Sequence, residues 1–257
     1  MPDIHYLLLI ALLLIATVLW LQQLQTRNAG WVDVFWSWSV GVVGLIFLLI
    51  GQGSMAPRLA AGVLLVVWSV RLGGHIFIRV RNDSREDGRY AAMRDALGQK
   101  AAPVFLLFYW GQAGLAWGFA LTFLVIGNQK AFFWPAVLAG VALGLLAIGG
   151  EALADRQLKR FKQRPDSRGG TCREGLWRYS RHPNYFFEWL HWVSYPVMAM
   201  GAAHGGWLWL LPLAMLVFLW FVTGIPYTER QALKTRGDDY RDYQRTTSAF
   251  FPWRPGK

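Results

Sequence analysis

A single cysteine, Cys172, in 257 residues leaves no internal disulfide, no cysteine-based metal cluster and no CxxC redox motif to consider. Charge is sparse at 16%, against 54% hydrophobic residues, which is too apolar for a soluble domain of this size. The five histidines, at positions 5, 75, 182, 191 and 204, lack the HxxxH or HxxE spacing of a metal site, so no metal is expected. There is no long Pro/Gly/Ser linker, no low-complexity tract and no internal repeat. One membrane domain over residues 1–257 is therefore expected. The first apolar run has neither an upstream basic region nor a small-residue cleavage site, and reads as a retained span rather than a signal peptide.

What the chain does hold is apolar and aromatic: 15 Trp and 16 Phe, in runs long enough for ~30 Å of hydrocarbon. Seven such runs are expected to be helices: Ile4–Leu21, Val32–Ile50, Leu59–Ile78, Ala102–Ile126, Phe132–Ala154, Tyr185–Met200 and Trp207–Tyr227. The sixth is the shortest. Of the 26 Lys and Arg, all but Arg58, Lys130 and Arg71 fall in segments that an alternating path puts on one side. Because cytoplasmic loops collect basic residues, the N-terminus is expected outside and the C-terminus in the cytoplasm. The net charge of +11 is confined to segments flanking membrane runs, so it points to anionic headgroups and membrane lipids rather than nucleic acid.

Two loops are long enough to hold structure, Val80–Ala101 and Asp155–Pro183, and the tail after Tyr227 reads as a helix stopping near Gly237 with a second short piece behind it. The glycines of Gly140-Val-Ala-Leu-Gly144 and Gly149-Gly150 sit inside a membrane run with no strand before them. They read as close helix contacts, not a nucleotide loop.

Polar residues inside apolar helices mark places with work to do, because each is costly there. In the sixth run Asn184, Glu188, His191 and Tyr195 stand at i, i+4, i+7 and i+11, one narrow helix face. In the fifth, Glu151, Asp155, Lys159 and Lys162 stand at i, i+4, i+8 and i+11, again one face, as the helix leaves the membrane. This face reads either as a solvated helix end with i,i+4 ion pairs or as a ligand surface. The ligand reading gains from Arg164, Arg168, Arg173, Arg178 and Arg181 just beyond, since guanidinium forks pair with phosphate oxygens. Arg71 and His75 lie one turn apart in the third run. Asp33, at the start of the second, is the nearest acidic candidate in depth, either bracing two helices or lining a ligand cavity. His182, among arginines and before Pro183, suits capping or phosphate contact. An aromatic cavity opening on a basic face suits a lipophilic small-molecule substrate meeting a soluble, charged cofactor.

The stretch Gly175-Leu-Trp-Arg-Tyr-Ser-Arg-His-Pro-Asn-Tyr-Phe-Phe-Glu-Trp, with Pro226-Tyr-Thr-Glu229, Tyr240-Arg-Asp-Tyr243 and Phe251-Pro-Trp, resembles the C-terminal region of the steroid 5-alpha-reductase superfamily, particularly its bacterial membrane branch. The resemblance runs from Gly149 to Trp253. It implies residues 131–257 as a cofactor-binding half and 1–130, with four helices, as the substrate side, in a multi-pass protein of a bacterial cytoplasmic membrane. It implies reduction of an activated C=C bond, as in an enone of a lipid, with NADPH as cofactor. Carried over, Asn184 and Glu188 contact the nicotinamide end, Asp155, Lys159 and Lys162 hold the adenosine and phosphate end with Arg173, Arg181 and His182, and Tyr240 or Tyr243 closes from the tail. Arg71, His191 and Tyr195 fall to the substrate cavity. Steroid-reducing members have a His-Tyr-x-x-Arg pattern where this chain has His75-Ile-Phe-Ile-Arg79, with Ile76 at the Tyr position. Asp33 is a displaced stand-in for their Gln-Glu pair. The proton donor is then Asp33, His75 or Tyr185.

A second family is similar in pattern. Membrane methyltransferases acting on isoprenylcysteine or phospholipids also show Arg-His-Pro-x-Tyr before a membrane helix and a Glu before a Tyr-x-x-Tyr tail, and use S-adenosylmethionine. Glu229 leans toward them; Asn184, Glu188 and the Asp155–Lys162 face lean toward the reductases. A non-catalytic lipid-binding protein is the third alternative.

Overall fold

The computed structural model describes residues 2–83, 86–167, 169–222 and 224–256. Its regular elements are all helical, and no strand occurs among the described residues. Six helical segments are long and apolar enough to cross a membrane: Ile4–Thr26, Trp31–Ile50, Met55–Asn82, Gly88–Gly127, Trp134–Lys162 and Gly205–Arg236. Large apolar side chains such as Leu14 and Leu138 are more than 60% exposed along these segments, a surface compatible with an integral multi-pass membrane protein and unsuited to water.

The chain divides into two compact units, Met1–Phe132 and Phe133–Lys257. The first holds α1 (Pro2–Thr26), α2 (Trp31–Ile50), α3 (Met55–Asn82), α4 (Gly88–Leu97) and α5 (Ala101–Gly127). Its core forms where α2 packs between α3 and α5, with α1 also lying on α5. The loop expected over Val80–Ala101 contains α4, started by Asp87, whose carboxylate accepts from the Arg89 N–H at 3.0 Å, a side-chain cap on an otherwise orphaned donor.

The second unit holds α6 (Trp134–Lys162), α7 (Pro183–Met198), α8 (Leu210–Val217), α9 (Ile225–Arg236) and α10 (Asp238–Thr246). Proline occupies the first turn of α6, α7 and α9, where its missing N–H costs nothing. A glycine at φ +57°, Gly237, separates α9 from α10. The α6–α7 packing is the densest in this unit and rests on two glycines. A Cβ on Gly140 would come within 2.8 Å of the Ser194 carbonyl, and one on Gly150 within 2.4 Å of the Phe187 ring. The helix-contact reading holds at Gly140 and Gly150, whereas Gly149 has nothing within 4 Å of a Cβ.

The sixth expected run differs from the others. As α7 it has 16 residues, about 24 Å at 1.5 Å per residue, short of the ~30 Å hydrocarbon thickness. Phe187, His191, Trp192, Val193, Ser194, Tyr195 and Met198 are all buried. Its apolar residues are largely buried, and composition alone does not separate a buried helix from a span.

Candidate functional site

The best-organised polar region of the second unit lies where α6 ends and α7 begins. The segment between them is stapled to α6: the Trp177 indole N–H donates to the Ala154 carbonyl at 2.9 Å and the Leu176 N–H to Gln157 Oε1 at 2.9 Å. Gly175, at φ +56°, lies so close to the Gln157 amide that a Cβ would stand 2.2 Å from Nε2. With Phe187 against Gly150, these contacts hold the first turns of α7 beside the Asp155 turn of α6.

On that frame, α6 runs unbroken to Lys162, so Asp155, Lys159 and Lys162 share one side. Asp155 is half-buried, and Lys159 and Lys162 are exposed. Asn184 is half-buried in the first turn of α7, and its amide makes no hydrogen bond among the described residues. Glu188, one turn on, accepts from the Trp192 indole N–H at 3.1 Å. Deeper, His191 and Tyr195 are fully buried and bonded to each other, His191 Nε2 to Tyr195 OH at 3.1 Å with rings edge to face. The expected stripe is thus two pairs with different surroundings. For a substrate to touch His191 or Tyr195, the packing around α7 would have to open.

Of the basic loop residues expected at a phosphate, Arg173 and Arg181 are engaged otherwise. Arg181 donates through Nε to Glu229 at 2.7 Å, and through one terminal nitrogen to the Gln244 and Thr247 carbonyls at 3.0 and 2.6 Å. Arg173 reaches Asp242 at 2.8 Å and Asp239 at 3.0 Å, and the Arg173 guanidinium holds the Asp242 carboxyl below its usual range. Tyr243, 1% exposed, donates to the Trp177 carbonyl and also lies 3.2 Å from the Ser180 carbonyl. Tyr240 packs edge-on against it, and burial raises both phenols above their ordinary range. These four side chains lash α10 and the tail to the 173–182 segment. Arg168 lies outside the described residues.

Sequence reasoning named Glu229 only as a family marker, yet it is the hub of this cluster. Besides Arg181 it accepts from His182 Nε2 at 3.2 Å and Gln244 Nε2 at 2.6 Å. The signal was available: a carboxylate closing an apolar run needs a cation, and the Arg181-His182 pair precedes another. Burial lowers the His182 pKa, with Glu229 opposing. A neutral ring beside a carboxylate that can only accept puts the proton on Nε2. The His182 ring also stacks on Tyr185, centroids 5.3 Å apart and 8° from parallel. Tyr185 OH lies 3.1 Å from Thr228 Oγ1, whose own proton goes to the Gly224 carbonyl at 2.9 Å. The phenol is therefore the donor in that bond.

In the first unit, Asp33 is held by α4 and the end of α3: Tyr90 OH at 2.6 Å, Arg89 at 2.8 Å and Arg79 at 3.7 Å. Its expected association with Arg71 and His75 is corrected accordingly. The Val80–Ala101 segment folds back over the start of α2 and brings nearer cations to the carboxylate. Arg71 is half-buried on α3 and His75, one turn along, is exposed. Among the described residues no group of His, Cys, Asp and Glu could hold a metal ion.

An all-helical chain with six potential spans and a buried ionic cluster at the end of its last one belongs among polytopic membrane proteins. Residues 19–247 match the family described as "Protein of unknown function (DUF1295)", and the chain belongs to that family. It is also similar to "Uncharacterized protein C594.04c" of the fission yeast Schizosaccharomyces pombe, 27% identical over 273 residues that cover 93% of this chain and 77% of the yeast protein.

Proposed function

We propose that this protein reduces an activated C=C bond of a lipophilic, enone-type substrate with NADPH, as a relative of the steroid 5-alpha-reductases. The observation carrying this reading is the unengaged Asn184 amide on α7, held beside a turn of α6 that continues into exposed Lys159 and Lys162. An amide is matched to a carboxamide and the two ammonium groups to phosphates, so the donor set fits this cofactor. NADPH, when bound, supplies the hydride. Asn184 orients, Glu188 is steadied by Trp192, and Lys159 and Lys162 bind. Of Asp33, His75 and Tyr185, Tyr185 is the proton donor most consistent with this arrangement, because it follows Asn184 in the same turn and its hydroxyl already donates, to Thr228.

One observation favours a second reading, methyl transfer from S-adenosylmethionine: the central place of Glu229 behind Pro226-Tyr-Thr. Thermal unfolding of the detergent-purified protein separates the two. A ligand at 100 times its dissociation constant raises stability by about 2.7 kcal/mol. NADPH is expected to give that shift, and Asn184→Ala or Lys159→Ala with Lys162→Ala to reduce it. A shift with S-adenosylmethionine alone would replace reduction by methyl transfer, and no shift with either would leave a lipid-binding protein without catalysis.

A further inference from the structure

The C-terminal tail builds a surface that the reductase reading does not use. Three bonds bind it to the segment before α7: Arg181 N–H to the Ser248 carbonyl at 2.8 Å, Ser180 Oγ to the Phe250 carbonyl at 2.8 Å and Trp253 N–H to the Tyr179 carbonyl at 2.9 Å. The last bond sets two Arg–aromatic dipeptides side by side, Arg178-Tyr179 and Trp253-Arg254. Tyr179, Pro252, Trp253 and Arg254 line an open cleft of 490 Å³. Although the backbone is fixed, Trp253 is 75% exposed, and neither Arg178 nor Arg254 has an acidic partner among the described residues.

The depth of this cleft follows from its neighbours. Phe250 packs on Trp189 of α7 and on Trp220, and Trp220 lies in the last potential span, Gly205–Arg236. The tail thus packs on α7 and on the last potential span and ends beside Arg178 and Arg181 of the basic segment. Indole and phenol rings favour headgroup depth, and a guanidinium binds a phosphodiester with paired hydrogen bonds. Pro252 brings no N–H that the interface would have to satisfy.

We propose that this cleft is a binding site for the headgroup of an anionic phospholipid in the leaflet that the basic loops face, with Arg254 on the phosphate and Tyr179 and Trp253 on either side of the glycerol region. The site is independent of any reaction the protein carries out. The test is native mass spectrometry of the full chain released from nanodiscs of phosphatidylcholine doped with phosphatidylglycerol. The wild type is expected to retain phosphatidylglycerol in preference to phosphatidylcholine. One interfacial cation contributes about 1 kcal/mol, so Arg254→Ala is expected to weaken retention about fivefold. Arg254→Lys keeps the charge and is expected to retain most of it, and Lys234→Ala, an exposed cation on α9, to change nothing. Equal retention of both lipids, or equal losses in Arg254→Ala and Lys234→Ala, would overturn the proposal. Displacement of the lipid by millimolar inorganic phosphate would overturn it too, by making the cleft a free-anion site.

Discussion

Glu229→Gln is the sharpest test of how the tail is held. The carboxylate accepts from Arg181, His182 and Gln244 at 2.7, 3.2 and 2.6 Å, and the side chains of Arg181 and Glu229 are only 11% and 14% exposed. Glutamine keeps the shape, removes the charge and turns an N–H2 group toward donors. Breaking a buried pair by removing one partner costs about 3–5 kcal/mol, and this pair, buried but not sealed, belongs at about 3. Because every 1.4 kcal/mol is a factor of ten, undocking of α10 and the tail becomes about a hundredfold more frequent. Hydrogen exchange in detergent reads that opening at two amides that report docking, Arg181 N–H and Trp253 N–H. Their protection is expected to fall by about two orders of magnitude while amides within α2 and α5 are unchanged. An apolar double variant, Arg181→Met with Glu229→Met, is expected to recover part of the loss, since it leaves no buried charge unpaired. Unchanged protection in Glu229→Gln, or a loss matched by Lys234→Ala, would refute the assignment of Glu229 as the hub.

Three further outcomes follow from the same geometry. Tail docking is expected to weaken as pH falls: undocked His182 titrates near its ordinary 6.5 and docked His182 lower, so the undocked state takes up the extra proton, and stability present above 6.5 is lost through the lower docked value. Exchange at Trp253 N–H between about pH 8 and 5, corrected for intrinsic rates, measures this, and a flat profile in the wild type or an equal slope in His182→Gln would contradict it. Gly150→Ala is expected to destabilise by about 1–3 kcal/mol through overpacking on Phe187, whereas Gly149→Ala, with nothing within 4 Å of its new Cβ, should be neutral or gain up to about 1 kcal/mol of helix propensity. Thermal unfolding of the two side by side decides it. Tyr243→Phe leaves two buried carbonyls, of Trp177 and Ser180, short of a donor, and about 1–3 kcal/mol of lost stability is expected, visible as faster proteolysis of the tail; no change would show that other groups satisfy those carbonyls.

Much of the architecture is legible without coordinates. Hydropathy locates the apolar helices because a bilayer demands continuous runs, and Pro183, Pro226 and Gly237 mark boundaries because proline lacks an N–H and glycine tolerates positive φ. The helix periodicity of 3.6 also suffices to put Asn184 with Glu188, and Asp155 with Lys159 and Lys162, on shared faces. Charge partners are another matter. Arg173 and Arg181 read as phosphate ligands from their type and neighbourhood, but their partners Asp242, Asp239 and Glu229 lie some 50 to 70 positions away, and only chain reversal through α9 and α10 brings them together. Asp33 follows the same rule: Tyr90 and Arg89 reach it because α4 folds back. The sequence by itself determined an all-helical, membrane-type chain with a polar face at the start of α7, since these depend on local periodicity and composition. The tertiary structure alone decided that most of α7 is buried, that Glu229 is a hub and that Tyr179 meets Trp253, because each depends on contacts between segments whose spacing in the chain carries no signal.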